Sequence, residues 1–205
     1  MLASPLWAGT DEAGPYATAL FGLASQSDQD LRLEGNGASQ KREVALDRGG
    51  LAGAALGWEF SNGWRIEGEF VYQSVDLEDP GFAEPAPRGD GNYASTSLAI
   101  NALYSFDLLG SPKVRTYLGA GLVRLTEVDI DFESGGREQS FSGSDNGLQL
   151  LFGARYMLGE NFYLDAGLRW LQASSLRLDG EDGTPGSIRA DYDPWALTVG
   201  IGWNF

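Results

Sequence analysis

The stretch that decides the fold is "WALTVGIGWNF", residues 195–205. Trp195, Leu197, Val199, Ile201, Trp203 and Phe205 occupy every second position, with Ala196, Thr198, Gly200, Gly202 and Asn204 between them. Side chains alternate faces along a β-strand, so this segment reads as a strand with one wholly apolar face and one small or polar face. A chain end is ordinarily the frayed part of a domain. An apolar face that runs to Phe205 therefore needs something to hold it, and the rest of the sequence has to supply that.

The same period of two marks eight segments, roughly residues 15–26, 48–60, 63–75, 92–106, 114–131, 146–158, 161–178 and 192–205. An even number of strands can close antiparallel. Short connections, "SNG", "DLLGSPK" and "GEN", follow the second, fourth and sixth segments, and long acidic loops rich in Gly or Pro follow the first, third, fifth and seventh. Short turns thus gather at one end and long loops at the other.

The alternation is clearest in "GWRIEGEFVY": Trp64, Ile66, Gly68, Phe70 and Tyr72 share one face, and Arg65, Glu67, Glu69 and Val71 the other. The sixth segment sets Leu148, Leu150, Phe152, Ala154, Tyr156 and Leu158 against Gly147, Gln149, Leu151, Gly153, Arg155 and Met157. The seventh sets Phe162, Leu164, Ala166, Leu168 and Trp170 against Tyr163, Asp165, Gly167 and Arg169. In both, the polar face carries glycines, which suits the lumen of a narrow barrel crowded by long side chains better than a water-exposed sheet face. The first and fifth segments are apolar on both faces and leave their phase open. Past its apolar stretch the fifth continues as "VDIDFE", Val128, Ile130 and Phe132 against Asp129, Asp131 and Glu133, so it reads as a strand projecting beyond the others. Such a projection offers either a raised edge for a partner strand or a rigid stem for its loop.

Composition narrows the chemistry. The chain has no Cys and no His, which removes ordinary zinc, haem and iron–sulfur sites, Ser-His-Asp and Cys-His nucleophiles, and disulfides. No cofactor is expected. A formal net charge of -15 argues against nucleic acid as a partner. No run of about 18 apolar residues encodes a membrane helix, a criterion that a strand-built membrane protein escapes. Residues 1–13 read as a leader remnant or flexible segment, and residues 14–205 as one barrel domain.

Aromatic residues cluster at segment ends. Phe60, Trp64, Phe106, Tyr156 and Phe162 flank the short turns, and Trp170 and Trp195 lie toward the long loops, with Leu, Ile, Val and Ala between. This is the girdle layout of a transmembrane barrel. Glu59, Arg65, Glu67, Glu69, Arg155, Asp165 and Arg169 then belong to the lumen, because Arg or Lys facing lipid at the bilayer midplane costs about 2–4 kcal/mol. Paired carboxylates suit acid–base work, but carboxylates interleaved with Arg read better as a packed charge network. From their heights on distant strands, Glu69 and Arg169 are placed to bridge the axis.

With "GPYATALFG", "WRIEGEFVY", "SLAINALYSF", "RTYLGAGL", "LFGARYML", "FYLDAGLRW" and "TVGIGWNF" in this order, the chain resembles the OmpA/OmpX-like family of small outer-membrane β-barrels, barrel part only. The resemblance implies an all-β fold, an eight-stranded antiparallel up-and-down barrel in the bacterial outer membrane with both termini periplasmic. It also implies that Val199, Ile201, Trp203 and Phe205 form a signal for the outer-membrane assembly machinery, which would explain the terminal Phe. Enzymes of this architecture depend on a His that this chain lacks. The expectation is a non-enzymatic barrel with a filled lumen, in contact with outer-membrane lipids, acting in envelope structure, adhesion or binding of a surface protein or host ligand through four long loops. The alternatives are a narrow porin or small-solute conduit, and a soluble lipocalin-like carrier.

Overall fold

The structure, a computed structural model, describes residues 13–25, 29–35, 38–44, 48–78, 90–134, 137–180 and 187–205. The strands are β1 (Gly14–Ser25), β2 (Gln29–Gly35), β3 (Ala38–Val44), β4 (Arg48–Glu59), β5 (Trp64–Glu78), β6 (Asp90–Phe106), β7 (Val114–Ser134), β8 (Arg137–Met157), β9 (Phe162–Gly180), β10 (Ser187–Tyr192) and β11 (Trp195–Asn204). The leader reading of residues 1–13 and the loop between β5 and β6 fall almost wholly outside the described residues.

Eight of these strands close a ring. β1, β4, β5, β6, β7, β8, β9 and β11 are successive antiparallel neighbours, and β11 returns to β1 from Tyr16↔Asn204 to Ser25↔Trp195. Closure leaves neither strand of this seam as an edge, and it is what holds the terminal strand. The amide of Phe205 donates to the carbonyl of Pro15 at 3.0 Å, so the pairing extends to the end of the chain.

The tight turns set the register. In the β4–β5 hairpin the Phe60 amide donates to the Trp64 carbonyl at 2.8 Å and the Gly63 amide to the Phe60 carbonyl at 3.1 Å. Gly63 takes a left-handed φ of 83°, which a residue with a Cβ rarely adopts. Glu59 therefore stands opposite Arg65. In the β8–β9 hairpin the Leu158 amide donates to the Phe162 carbonyl at 2.9 Å, and Arg155 stands opposite Asp165.

At the other end the structure departs from the sequence reading in three ways. The connection expected at residues 27–47 contains the hairpin β2–β3, and that at 179–191 contains β10. β10 pairs with the upper part of β9, β2 with β10 and β3 with β2, so the wall is raised above β11. The sixth barrel strand begins at Arg137 rather than near residue 146, so most of the expected loop 132–145 is strand. Polar, serine-rich sequence hid this extension, because its pairing comes from β7. For the same reason β7 is no free edge: β6 and β8 flank its projecting part on both sides.

Two bulges shape this raised wall. On β7, Thr126 and Glu127 lie between Leu125↔Asp145 and Val128↔Gly143, where the partner strand has one residue. On β9, Ser174 and Ser175 lie between Ala173↔Tyr192 and Leu176↔Ala190, again against one residue. An extra residue in one strand shifts the alternation by one, so even-numbered side chains that face outward below each bulge face inward above it. Leu118 and Leu122 are exposed and Val128 is buried; Leu164 and Leu168 are exposed and Leu176 and Leu178 are buried.

Candidate functional site

The barrel interior holds the densest polar constellation among the described residues. All eight barrel strands send polar side chains into it, and neighbouring glycines give them room. Tyr16, Tyr117 and Tyr163 stand directly opposite Gly57, Gly153 and Gly202 in register. A Cβ on any of the three glycines would fall within contact of that tyrosine ring, so each ring lies down over a glycine. The glycines on the polar face thus have a physical reason.

β5 and β9 stand four places apart in the ring of eight, and the Arg169 guanidinium spans the lumen to Glu69 as a fork, Nη1 to Oε1 at 3.0 Å and Nη2 to Oε2 at 2.7 Å. Two parallel charge-assisted bonds are the strong form of this contact. From Glu69 the network continues sideways. Gln149 donates to Glu69 Oε1 at 3.3 Å and to Asn101 Oδ1 at 2.6 Å, Asn101 donates to Glu67 at 3.1 Å, and the Tyr16 hydroxyl donates to Glu67 at 2.7 Å. Nearer the short turns, Tyr117 donates to Asp165 at 2.9 Å and Arg155 lies 3.4 Å from the other Asp165 oxygen. Glu59 accepts from Arg115 at 2.9 Å and lies 3.6 Å from Arg155.

Arg65 faces Glu59 across the hairpin but makes no ion pair with it, because Arg115 and Arg155 occupy that carboxylate. Its side chain is 1% exposed, none of its three nitrogens has a hydrogen-bond partner, and its Cζ lies 4.7 Å from the Tyr117 ring centre. Cation–π attraction compensates part of its desolvation. Arg155 is sandwiched, its Cζ 4.3 Å from both the Tyr16 and Tyr163 rings. The space left beside Arg65, Arg169 and Thr198 is a cavity of about 20 Å³, room for roughly one water molecule.

All seven charged residues assigned to the lumen from sequence therefore point inward, Glu59 less deeply than the rest. Arg115, Tyr16, Tyr117 and Tyr163 were missed. They sit on segments whose phase was open or were read only as spacing residues. The missed signal was the glycine opposite each tyrosine once the hairpin register is counted.

On the outside, Phe60, Trp64, Tyr156, Phe162 and Trp195 are exposed, while Phe106 and Trp170 are half-buried. Trp170 stacks on Trp195 with ring centres 5.9 Å apart, and Phe162 meets Trp203 at 4.9 Å. Val199, Ile201 and Trp203 of β11, with Phe205 just beyond it, form one exposed outward row.

A sequence model for the outer membrane protein beta-barrel domain matches residues 1–205. No curated protein is detectably similar in sequence. Among solved structures, the outer membrane protein OprG from Pseudomonas aeruginosa is similar at a TM-score of 0.68 and 17% identity, covering 94% of this chain and 96% of its own. Neisserial surface protein A is similar at 0.53 and 20% identity over 94% and 97% of the two chains, and a major outer membrane protein from Thermus thermophilus at 0.55 and 13% over 93% and 99%. At these identities the likeness concerns the fold.

Proposed function

This chain belongs to the outer membrane protein β-barrel family, and from that premise we propose that it is a non-enzymatic anchor that carries a raised, loop-bearing sheet on the outer surface of a bacterial cell for adhesion or surface interaction. The observation that carries this reading is the Glu69–Arg169 fork across the lumen, flanked by the Gln149–Asn101–Glu67 chain. An eight-stranded barrel is just wide enough to be filled by side chains, and these side chains fill it. Above them the raised wall closes over Leu125, Val128, Phe141, Leu176 and Leu178, all buried, and Tyr192 reaches Ser95 on the far side at 2.8 Å. An interior so filled opposes a continuous solvent path.

The short turns and both termini then face the periplasm and the raised wall the outside. The outward row Val199, Ile201, Trp203 and Phe205 is the part offered to the assembly machinery. Purified protein in a planar bilayer should show no steady channel, and protease added to intact cells should cut only on the long-loop side. Reproducible ohmic conductance would move the assignment to a porin, and cleavage at Asn62 or Glu160 in sealed cells would overturn the orientation. The apolar lining of the mouth favours one second reading, a conduit for small apolar solutes. That reading requires uptake of an apolar solute by cells making the protein, at a rate that falls when the mouth is sealed.

A further inference from the structure

Cross-strand register brings four cations into one row on the raised wall. Arg189 of β10 stands opposite Arg177 of β9 on one side and Arg32 of β2 on the other, and Arg32 stands opposite Lys41 of β3. Directly opposite residues of an antiparallel pair share a face of the sheet. Arg177 and Arg189 are exposed, so the row belongs to the outer face of the wall. It holds four of the 14 Lys and Arg residues of a chain whose net charge is -15, so composition does not account for it.

Like charges placed directly opposite destabilise a sheet. The neighbouring rows on the same face offset that cost. Asp179 and Glu34, each opposite Ser187, lie in one, and Asp30 and Glu43 in the other, with Asp191 two residues beyond Arg189. Arg177 donates to Asp179 through Nε at 3.0 Å, a contact that uses one nitrogen of the guanidinium and leaves the Nη pair to a ligand.

Strands lie about 4.8 Å apart, so the row presents a positive charge at each step over roughly 14 Å across the wall. Residues two apart along a strand are separated by about 6.7 Å, so the acidic rows confine an anionic ligand to a single file. A thin chain fits this track, whereas a broad polyanion such as duplex nucleic acid meets the flanking carboxylates. The row stands seven residues of β9 beyond Trp170 of the aromatic girdle, clear of the bilayer.

We propose that the row Arg177, Arg189, Arg32 and Lys41 is a docking track for a linear polysaccharide with one carboxylate on each sugar residue. The proposal rests on the surface-interaction reading above, which puts the raised wall outside the cell. Charge and spacing select the occupant: the carboxylates of such a chain recur at about the strand spacing, and a guanidinium binds a carboxylate through paired donors.

The test is surface plasmon resonance of the detergent-solubilised full chain over immobilised oligogalacturonate, with a DNA duplex as comparator. The wild type should bind the oligosaccharide, less tightly as salt rises, and in preference to the duplex. Arg177→Gln should weaken binding about tenfold, the order expected for one charge-assisted contact, and Arg177→Gln combined with Lys41→Gln should weaken it further. Arg124→Gln, which removes an exposed arginine outside the row, should match the wild type. No binding by the wild type, equal loss in Arg124→Gln and Arg177→Gln, or tighter binding to the duplex overturns the track. Protein in detergent has no inside or outside, so an inverted orientation on cells would leave this result unchanged, and the two readings fail separately.

Discussion

The membrane band and the raised wall of this barrel are built inside out relative to each other. In the band, Leu164 and Leu168 of β9 face outward while Asp165 and Arg169 face the lumen. In the raised wall of the same strand, Leu176 and Leu178 are enclosed while Arg177 and Asp179 are exposed. The medium outside decides which arrangement is stable. Lipid accepts leucine and refuses charge, so charges collect inside and must pair; water accepts charge and expels leucine, so apolar residues collect inside and need no partner. All four of these leucines stand at even positions, and the Ser174–Ser175 bulge moves the even positions from one side to the other.

The largest effect should come from removing that inversion. Exchanging the pairs, Leu176→Arg with Arg177→Leu and Leu178→Asp with Asp179→Leu, gives the raised wall the leucine-out, charge-in arrangement of the membrane band and exposes two leucines to water, at about 1.5–3 kcal/mol for each side chain. The expected outcome is proteolysis of the raised wall in a barrel whose membrane band stays folded in detergent. A raised wall as protease-resistant as the wild type would break the comparison.

Next in size is the charged interior. Arg169→Ala leaves Glu69 buried without its ion-pair partner, at about 3–5 kcal/mol, and should lower the unfolding temperature accordingly. Replacing both residues by leucine should recover most of the loss. Arg65→Ala should cost less, because Arg65 makes no hydrogen bond and its removal leaves no carboxylate without its partner. Equal costs for the two arginines would show that the hydrogen bonds do not rank these sites.

A smaller effect tests the packing between tyrosine and glycine. A Cβ at Gly202 would overlap the Tyr163 ring, so Gly202→Ala should destabilise by about 1–3 kcal/mol. The companion change Tyr163→Ala should remove most of the penalty specific to Gly202→Ala, read as a double-mutant cycle in denaturant unfolding.

The smallest concerns the mouth. Burial pushes the Tyr192 hydroxyl up to about 12, with the Ser95 bond pulling the other way. A raised folded-state value means that its stabilisation is complete below the ordinary tyrosine range near 10 and is lost as pH rises through about 12. Tyr192→Phe should cost about 0.5–1.5 kcal/mol at neutral pH and flatten the alkaline loss, followed by near-ultraviolet circular dichroism. An unchanged alkaline profile would place the transition elsewhere.

Much of the membrane band was legible because period-two alternation survives in "WRIEGEFVY", "LFGARYML" and "FYLDAGLRW", and because three-residue turns fix the register beside them. Glu59 opposite Arg65 and Arg155 opposite Asp165 follow from counting outward from Asn62 and Glu160. Arg115 was not legible: its segment is apolar on both faces, and nothing local states which way an arginine turns. Facing each other does not ensure pairing either. Glu59 prefers Arg115 and Arg155, a choice set by which side chains converge across the closed ring.

By itself, then, the sequence determined the strand period, the eight-membered ring, the inward face of the charged residues and the end at which loops gather, because each depends on local spacing or on the cost of a charge in lipid. Only the tertiary structure decided that β2, β3 and β10 extend the wall, that Arg65 rests on a tyrosine ring instead of a carboxylate, and that Val128, Leu176 and Leu178 turn inward. Those outcomes depend on pairing between distant segments. A bulge is an extra residue in one strand relative to its partner, so it has no signature in either strand alone.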